Sequence, residues 1–315
     1  MTVLVTGANG FVGSALCARL PKDGTSVRAA LRSLNSQPDG TEAVAIGSIS
    51  SETDWTSVLR NADQVVHLAA RVHVMNDKSP DPLAEFRRVN VEGTANFARQ
   101  AAAAGVKRFV FLSSIKVNGE FTEAGQPFTA DDVPSPEDPY GVSKQEAEQL
   151  LRQITDETGM EVVIIRPPLV YGPGVKANFE SLMRWLARGL PLPLAAVTQN
   201  RRSLVALDNL VDLIVTGLNH PAAANQTFLA GDGEDLSTAE LLKRMGAAMG
   251  RPARLFKMSP ALLKLGATLL NKPGIYQRLC SSLQLDITKT RQVLGWTPPM
   301  SVDEGLRRAA EGFRP

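Results

Sequence analysis

Thr6-Gly7-Ala8-Asn9-Gly10-Phe11-Val12-Gly13 (TGANGFVG) follows directly on the β-branched run Val3–Val5 and leads into apolar residues at helical spacing over Phe11–Leu20. Glycines at 7, 10 and 13 let the main chain turn tightly between strand and helix and approach a pyrophosphate, which first-turn amides and the positive helix end stabilise. Gly7, Gly10, Phe11, Val12 and Gly13 are therefore candidate cofactor contacts. A glycine turn alone is weak evidence, and its weight comes from the alternation downstream. Short runs at Ser26–Leu31, Ala43–Ile46, Gln64–Leu68, Arg108–Leu112 and Glu161–Ile165 read as strands, whereas Leu83–Ala104 and Pro139–Thr158 carry helical spacing. Strands alternating with helices predict an α/β fold, a doubly wound parallel sheet whose ligands sit at the carboxyl ends of the strands.

After Arg166 the pattern changes. Prolines at 167, 168, 173, 191 and 193 break the chain around one helix, Asn178–Arg188. Thr227–Ala230 reads as a strand returning to the sheet, and Ser237-x-x-Glu240 is a capping pattern for a helix over Ser237–Gly250. The expected organisation is a cofactor-binding domain of residues 1–166 and about 203–232, with a smaller, discontinuous substrate lobe of about 167–202 and 233–315. Leu262–Leu270 (LLKLGATLL) reads as an amphipathic helix of that lobe, too short to span a bilayer and interrupted by Lys264. The proline-rich polar stretch Asn118–Asp138 is expected to be an ordered surface loop of functional weight.

A chain of 315 residues can bury one large core plus a smaller one, which suits an enzyme with a cleft. Its 34 Lys and Arg against 32 Asp and Glu are scattered, leaving no continuous basic stripe for a nucleic-acid backbone. The first strand starts at Val3 with no room for a charged leader, so Cys17 and Cys280 are expected as reduced thiols in a cytoplasmic protein without membrane insertion. His67 and His73 share no helical face and no carboxylate or cysteine cluster joins them, so no metal is expected.

At the end of the second strand an acid would be expected to hold the adenosine ribose of NAD, about 20 residues after the glycines. Leu31 stands there and Arg32 follows. A guanidinium can hold a ribose 2′-phosphate bidentately, which tilts the cofactor expectation, NAD(P), towards NADP(H); the alternative is a solvated surface arginine. Leu68-Ala69-Ala70 ends the fourth strand with small residues, as passage beneath a flat cofactor requires, and His67 before it reads as a packed core histidine.

Tyr140 and Lys144, in PYGVSK, lie four apart on a helical pattern and so share one face. A nearby ammonium favours the phenolate, which predicts a lowered tyrosine pKa and proton exchange at neutral pH. Twenty-six residues before Tyr140, the strand Phe109–Leu112 ends in Ser113-Ser114, which puts the Ser114 hydroxyl at the carboxyl edge of the sheet, in reach of a substrate carbonyl or alkoxide. No histidine stands at a spacing that would make Ser114 a nucleophile, so it is cast as an orienting group.

Taken together and in order, TGANGFVG (6–13), HLAA (67–70), VNVEGT (89–94), FLSSIKVNG (111–119), YGVSK (140–144), RPPLVYGPG (166–174), RSLVALDNLVD (202–212) and LGW (294–296) make the chain resemble the extended short-chain dehydrogenase/reductases. Within them it is similar to the NAD-dependent epimerase/dehydratase branch that acts on nucleotide sugars. The resemblance implies catalysis by Ser114, Tyr140 and Lys144. It implies a polar support for the active-site backbone at Asn90, cofactor contacts at Ser48, Ser113, Pro167, Pro168, Leu169 and Val170, and substrate contacts at Arg71, Ser114, Ile115, Lys116, Asn118, Asn178 and Arg202, with Arg201 the alternative to Arg202. It further implies dimerisation through the two long helices as a four-helix bundle.

The chain departs from the branch at three places. Dehydratases carry an Asp-Glu pair where Ile115 and Lys116 stand, which argues against dehydration. Asn118 replaces a common tyrosine and Ser48 a common aspartate. Two chemistries fit what is left. A 4-ketosugar reductase of surface-polysaccharide sugar biosynthesis, acting on a UDP-sugar, is the lead on account of Arg32 and of SSIKVNGE (113–120), which resembles a reductase-like subgroup. A UDP-hexose 4-epimerase with retained NAD is the alternative. A non-catalytic NAD(P)-sensing regulator is a third reading from another class.

Overall fold

The structure, a computed structural model, describes residues 1–34, 37–72, 79–123, 125–269 and 273–314. His73, Leu270 and Ala124 of the Asn118–Asp138 loop lie outside the described residues. Among the described residues ten strands form two sheets: β1 (Thr2–Thr6), β2 (Ser26–Leu31), β3 (Glu42–Ala45), β4 (Gln64–His67), β5 (Arg108–Leu112), β6 (Glu161–Arg166), β7 (Leu169–Tyr171), β8 (Arg202–Ala206), β9 (Thr227–Leu229) and β10 (Asp235–Leu236). The larger sheet runs β3-β2-β1-β4-β5-β6-β9, parallel throughout. Strand order reverses between β1 and β4, where Thr6 pairs with His67, so the glycine loop and Leu68–Ala70 leave the sheet side by side. That is where open parallel sheets bind ligands.

Successive side chains of a strand point to opposite faces, and both faces here are covered. Val3, Val5, Val163 and Ile165 pack with helices Phe11–Arg19 and Leu207–Asn219 on one side. Leu4, Val162 and Ile164 pack with helices Thr94–Ala103 and Pro139–Thr158 on the other. A third cluster, around Tyr171, Phe179, Leu242 and Leu306, belongs to the small sheet β10-β8-β7 and the helices on it. The Asn118–Asp138 loop is anchored by bridges from Thr122 to Ser282 and from Phe128 to Leu285.

Two expectations change. The single helix over Leu83–Ala104 is a helix at Pro82–Arg87, a π-helical turn at Arg88–Gly93 and a helix at Thr94–Ala103. At the turn Gly93 passes so close to the Ser48–Ser50 segment that an added Cβ would lie 2.6 Å from Ile49 Cγ2. Between 167 and 202 the chain forms strand β7 as well as one helix, Ala177–Ala187, and β8 joins β7 and β10 in the small sheet before Leu207–Asn219 returns to the large one.

Candidate active site

Gly7 has φ +66°, and a Cβ there would lie 2.8 Å from Ala69 N. A Cβ on Gly13 would lie 2.1 Å from Gly7 O, so the loop closes on the helix only with hydrogen at that position. Gly10 caps the helix Phe11–Arg19 without a side-chain hydrogen bond, which leaves first-turn amides directed at the crevice. Phe11 and Val12 are half-buried beside it. Close backbone approach and a bare helix N-terminus together fit a dinucleotide pyrophosphate. Leu68, Ala69 and Ala70 flank the loop, with Ala69 N donating to Thr6 Oγ1 at 3.2 Å. Arg32 is exposed where β2 ends, and Ser48 is exposed with its carbonyl accepting from Thr53 Oγ1.

His67 is a core residue. Its Nδ1 is hydrogen-bonded to Thr6 Oγ1 at 2.7 Å and its Nε2 to Thr94 Oγ1 at 3.0 Å. Burial, with the Lys144 charge, pushes its pKa down to about 3, so it stays neutral.

The second half of the crevice is built around Asp138. As N-cap of the Pro139–Thr158 helix it accepts from Gly141 N at 2.6 Å through Oδ1 and from Lys116 Nζ at 2.5 Å through Oδ2. Gly141 sits so close to the 3₁₀ turn Ile115–Val117 that a Cβ would lie 2.7 Å from Lys116 O. This contact brings the first helical turn, with Tyr140, towards Ser114, the N-cap of the 3₁₀ turn, whose hydroxyl acts to lower the phenol's pKa. One turn on, the nearly fully buried Lys144 donates to Leu112 O at 2.8 Å and lies 4.3 Å from the centre of the Phe111 ring. Burial pulls its pKa down to about 7.

The phenol departs from expectation. Burial and then the Asp138 carboxylate hold the Tyr140 pKa above its ordinary value, and the Ser114 hydroxyl opposes them. Lys144 does not dominate because its ammonium is turned to the Leu112 carbonyl, 6.0 Å from the Tyr140 ring centre.

Asn90 sits in the π-helical turn, a distortion frequent at functional sites. Its amide accepts from Arg71 N at 2.8 Å and donates to Arg71 O and Ser143 Oγ, both at 3.0 Å, clamping the segment after β4 to the Tyr140 helix. Pro167 and Pro168 are buried, Pro167 O accepts from Ile115 N at 3.0 Å, and Leu169 and Val170 open β7 with more exposure. Asn178 is exposed in the first turn of Ala177–Ala187. Arg202 donates to Ser281 O at 3.2 Å, whereas Arg201 is tied to its own loop at Thr198 O and Asn200 O.

Four expected contacts are engaged elsewhere. Asn118 is buried, donating to Thr129 O and accepting from Arg166 Nη1, which uses up the polar ends of its amide for structure. Ser113 Oγ donates to Glu148 Oε1 at 2.6 Å in the same buried network. Ile115 packs in the core, and Lys116 is held between Glu120 and Asp138. Asp138, Gly141 and Glu148 escaped the sequence reading. Asp138-Pro139 carried a usable signal, an N-cap acid before proline at the first helical position.

Residues 3–231 match the model of the NAD dependent epimerase/dehydratase family. The chain belongs to that family. This epimerase/dehydratase-family chain is 49% identical to a UDP-glucose 4-epimerase of Vibrio cholerae over 99% of its length and 95% of the relative's. It is 31% identical to a UDP-glucose 4-epimerase of Mycolicibacterium smegmatis, covering 100% and 99% of the two chains. Among solved structures, MoeE5 in complex with UDP-glucuronic acid and NAD superposes with a TM-score of 0.79 at 27% identity, covering 99% and 98%. The family chain is an enzyme of the extended short-chain dehydrogenase/reductase type that uses a nicotinamide cofactor, which sets aside the regulator reading. Among the described residues no helix is long and apolar enough to cross a membrane.

Proposed function

We propose that the protein is a UDP-hexose 4-epimerase that retains NAD. The observation that carries this is the 49% identity, over 99% of the chain, to a protein named UDP-glucose 4-epimerase, and it favours epimerisation over the 4-ketosugar reductase that SSIKVNGE and Arg32 suggested. The site is consistent with it. Moving a hydride off and back onto one carbon needs one proton carrier and one orienting donor, and Ser114 and Tyr140 supply that pair. The dehydratase carboxylates are replaced by buried Ile115 and by Lys116, whose ammonium is ion-paired.

When bound, a nicotinamide would supply reversible hydride chemistry at the sugar C4. The chain's own residues do the rest. Tyr140 Oη takes the proton from the sugar 4-hydroxyl and later returns it. Ser114 Oγ, fixed at the mouth of β5, holds the same oxygen. Lys144, its pKa pulled down by burial to about 7, backs the phenol from the Leu112 carbonyl. Gly7, Gly10 and Gly13 would hold the pyrophosphate, while Arg202 and Asn178 would face the nucleotide diphosphate of the substrate.

Purified protein given UDP-glucose without added nucleotide should form UDP-galactose, read by proton NMR. Stoichiometric consumption of NADPH by a UDP-4-ketohexose, with no epimerisation, would replace this proposal by the reductase. The nucleotide released on denaturation should be NAD; NADP would reinstate the 2′-phosphate role of Arg32. A homodimer through Pro82–Ala103 and Pro139–Thr158 belongs to the same proposal and is checked by sedimentation equilibrium.

A further inference from the structure

Residues 251–280 carry six Lys or Arg (Arg251, Arg254, Lys257, Lys264, Lys272 and Arg278) and no Asp or Glu. The rest of the chain, with 28 basic residues against 32 acidic, is net −4, so the positive charge of the whole protein resides in this one segment. Among the described residues none of Arg251, Arg254, Lys257, Lys264 and Arg278 forms an ion pair, although the surface elsewhere is rich in them, and all five are exposed.

The same segment exposes its apolar side chains. Helix Pro260–Leu269 has no buried residue, and Leu262, Leu265 and Leu269 stand 57%, 56% and 78% exposed. Their spacing of three and four places them on one face, while Leu263 turns inward to the lobe core. Phe256 before the helix and Ile275 after it are exposed too. A leucine stripe bare to water is normally a liability that a partner covers.

We propose that this segment is a docking surface for an anionic lipid membrane, on which the helix lies in the interfacial plane. Charge complementarity selects the partner. A segment with cations and no acids of its own beside an apolar stripe matches acyl chains beneath anionic headgroups. A second copy of this chain would oppose cation to cation at a two-fold contact. The helix is ten residues long, so it lies on the bilayer and does not cross it. The docked segment is tied to the candidate substrate side: Ser281, directly after it, accepts from Arg202, and Thr122 and Ser282 bridge the segment's end to the Asn118–Asp138 loop.

The test is co-sedimentation of the intact protein with vesicles of phosphatidylcholine and phosphatidylglycerol in equal parts, against pure phosphatidylcholine. The wild type should pellet with the anionic vesicles only and be released by salt. Lys257→Glu/Lys264→Glu/Arg278→Glu should abolish pelleting, each lost cation weakening it about fivefold. Leu262→Ser/Leu265→Ser/Leu269→Ser should also abolish it. Both variants should keep wild-type turnover of a soluble UDP-sugar, which shows that they fold. Wild-type protein that stays in the supernatant overturns the proposal, as does equal binding to neutral vesicles. Self-association lost only in the leucine variant, without vesicle binding, would assign the face to a second copy.

Discussion

Arg166 grips Glu148 with two donors, Nε to Oε1 at 2.9 Å and Nη2 to Oε2 at 2.6 Å, and both side chains are at most 3% exposed. The pair joins the last residue of β6 to the Tyr140 helix. Through Ser113 on Oε1 and Asn118 on Nη1 it also fixes both ends of the segment that carries Ser114. Here a buried ion pair acts as a positioning device for a site one layer above it.

Both side chains are almost fully buried, and removing Glu148 strands the Arg166 charge, whereas Glu148 has a second partner in the exposed Arg152 at 3.5 Å. Glu148→Ala should cost about 3–5 kcal/mol of unfolding free energy. The double variant Glu148→Leu/Arg166→Met should lose clearly less than either single truncation, since no charge is left unpaired. Urea denaturation of the four proteins checks this, and additive single effects would show that the pair does not couple.

His67 gives the acid side of the stability profile. Its folded pKa of about 3 lies below the unfolded value of 6.5, so between those limits the unfolded chain binds the extra proton. The stability from keeping the ring neutral is fully present above about pH 6.5 and is lost as pH falls towards 3. His67→Gln should be less stable at neutral pH but show a flatter decline below pH 6.5, measured by thermal unfolding across that range.

The Ser114 hydroxyl acts to lower the phenol's pKa, against burial and Asp138, which raise it. Ser114→Ala should therefore shift the alkaline-favoured limb of the kcat profile to higher pH as well as lower its plateau. Tyr140→Phe should lose about 10²–10⁴-fold in kcat while keeping its bound nucleotide. If Ser114→Ala lowers kcat without moving the profile, the serine only orients substrate.

Most of the large sheet was legible in the sequence because its signals are local: β-branched runs, one helix period, and glycines whose role is written in their spacing. The small sheet was not. β7, β8 and β10 are two to five residues long and pair across more than thirty residues of chain, so no local period marks them. The helix Leu207–Asn219 begins inside the motif RSLVALDNLVD (202–212), which was not read as the start of a helix. The π-helical turn at Asn90 escaped because one extra residue per turn barely disturbs an apolar pattern. The spacing of Tyr140 and Lys144 was visible, but the phenol's environment was set by burial and Asp138, the lysine's by the Leu112 carbonyl, and the Asn118 amide was engaged by Arg166. Such partners are chosen by packing and not by sequence distance.

Gly13→Ala isolates the cofactor half of the site. The new Cβ would fall 2.1 Å from Gly7 O and 2.8 Å from Ala8 Cα, both main-chain atoms that cannot swing aside as a side chain would. The helix start must move away from β1, which removes the loop's fit to a pyrophosphate and disturbs the packing of Leu16 and Cys17 in the core. The variant should purify without nucleotide, judged by the absorbance of the denatured supernatant, and should unfold at a lower temperature. Gly24→Ala serves as control. It has nothing within 4 Å of the added Cβ but a φ of +74°, so it should cost about 1 kcal/mol and leave the nucleotide content intact. Equal nucleotide loss in both variants would mean that global destabilisation, and not the closed approach of Gly13 to Gly7, releases the cofactor.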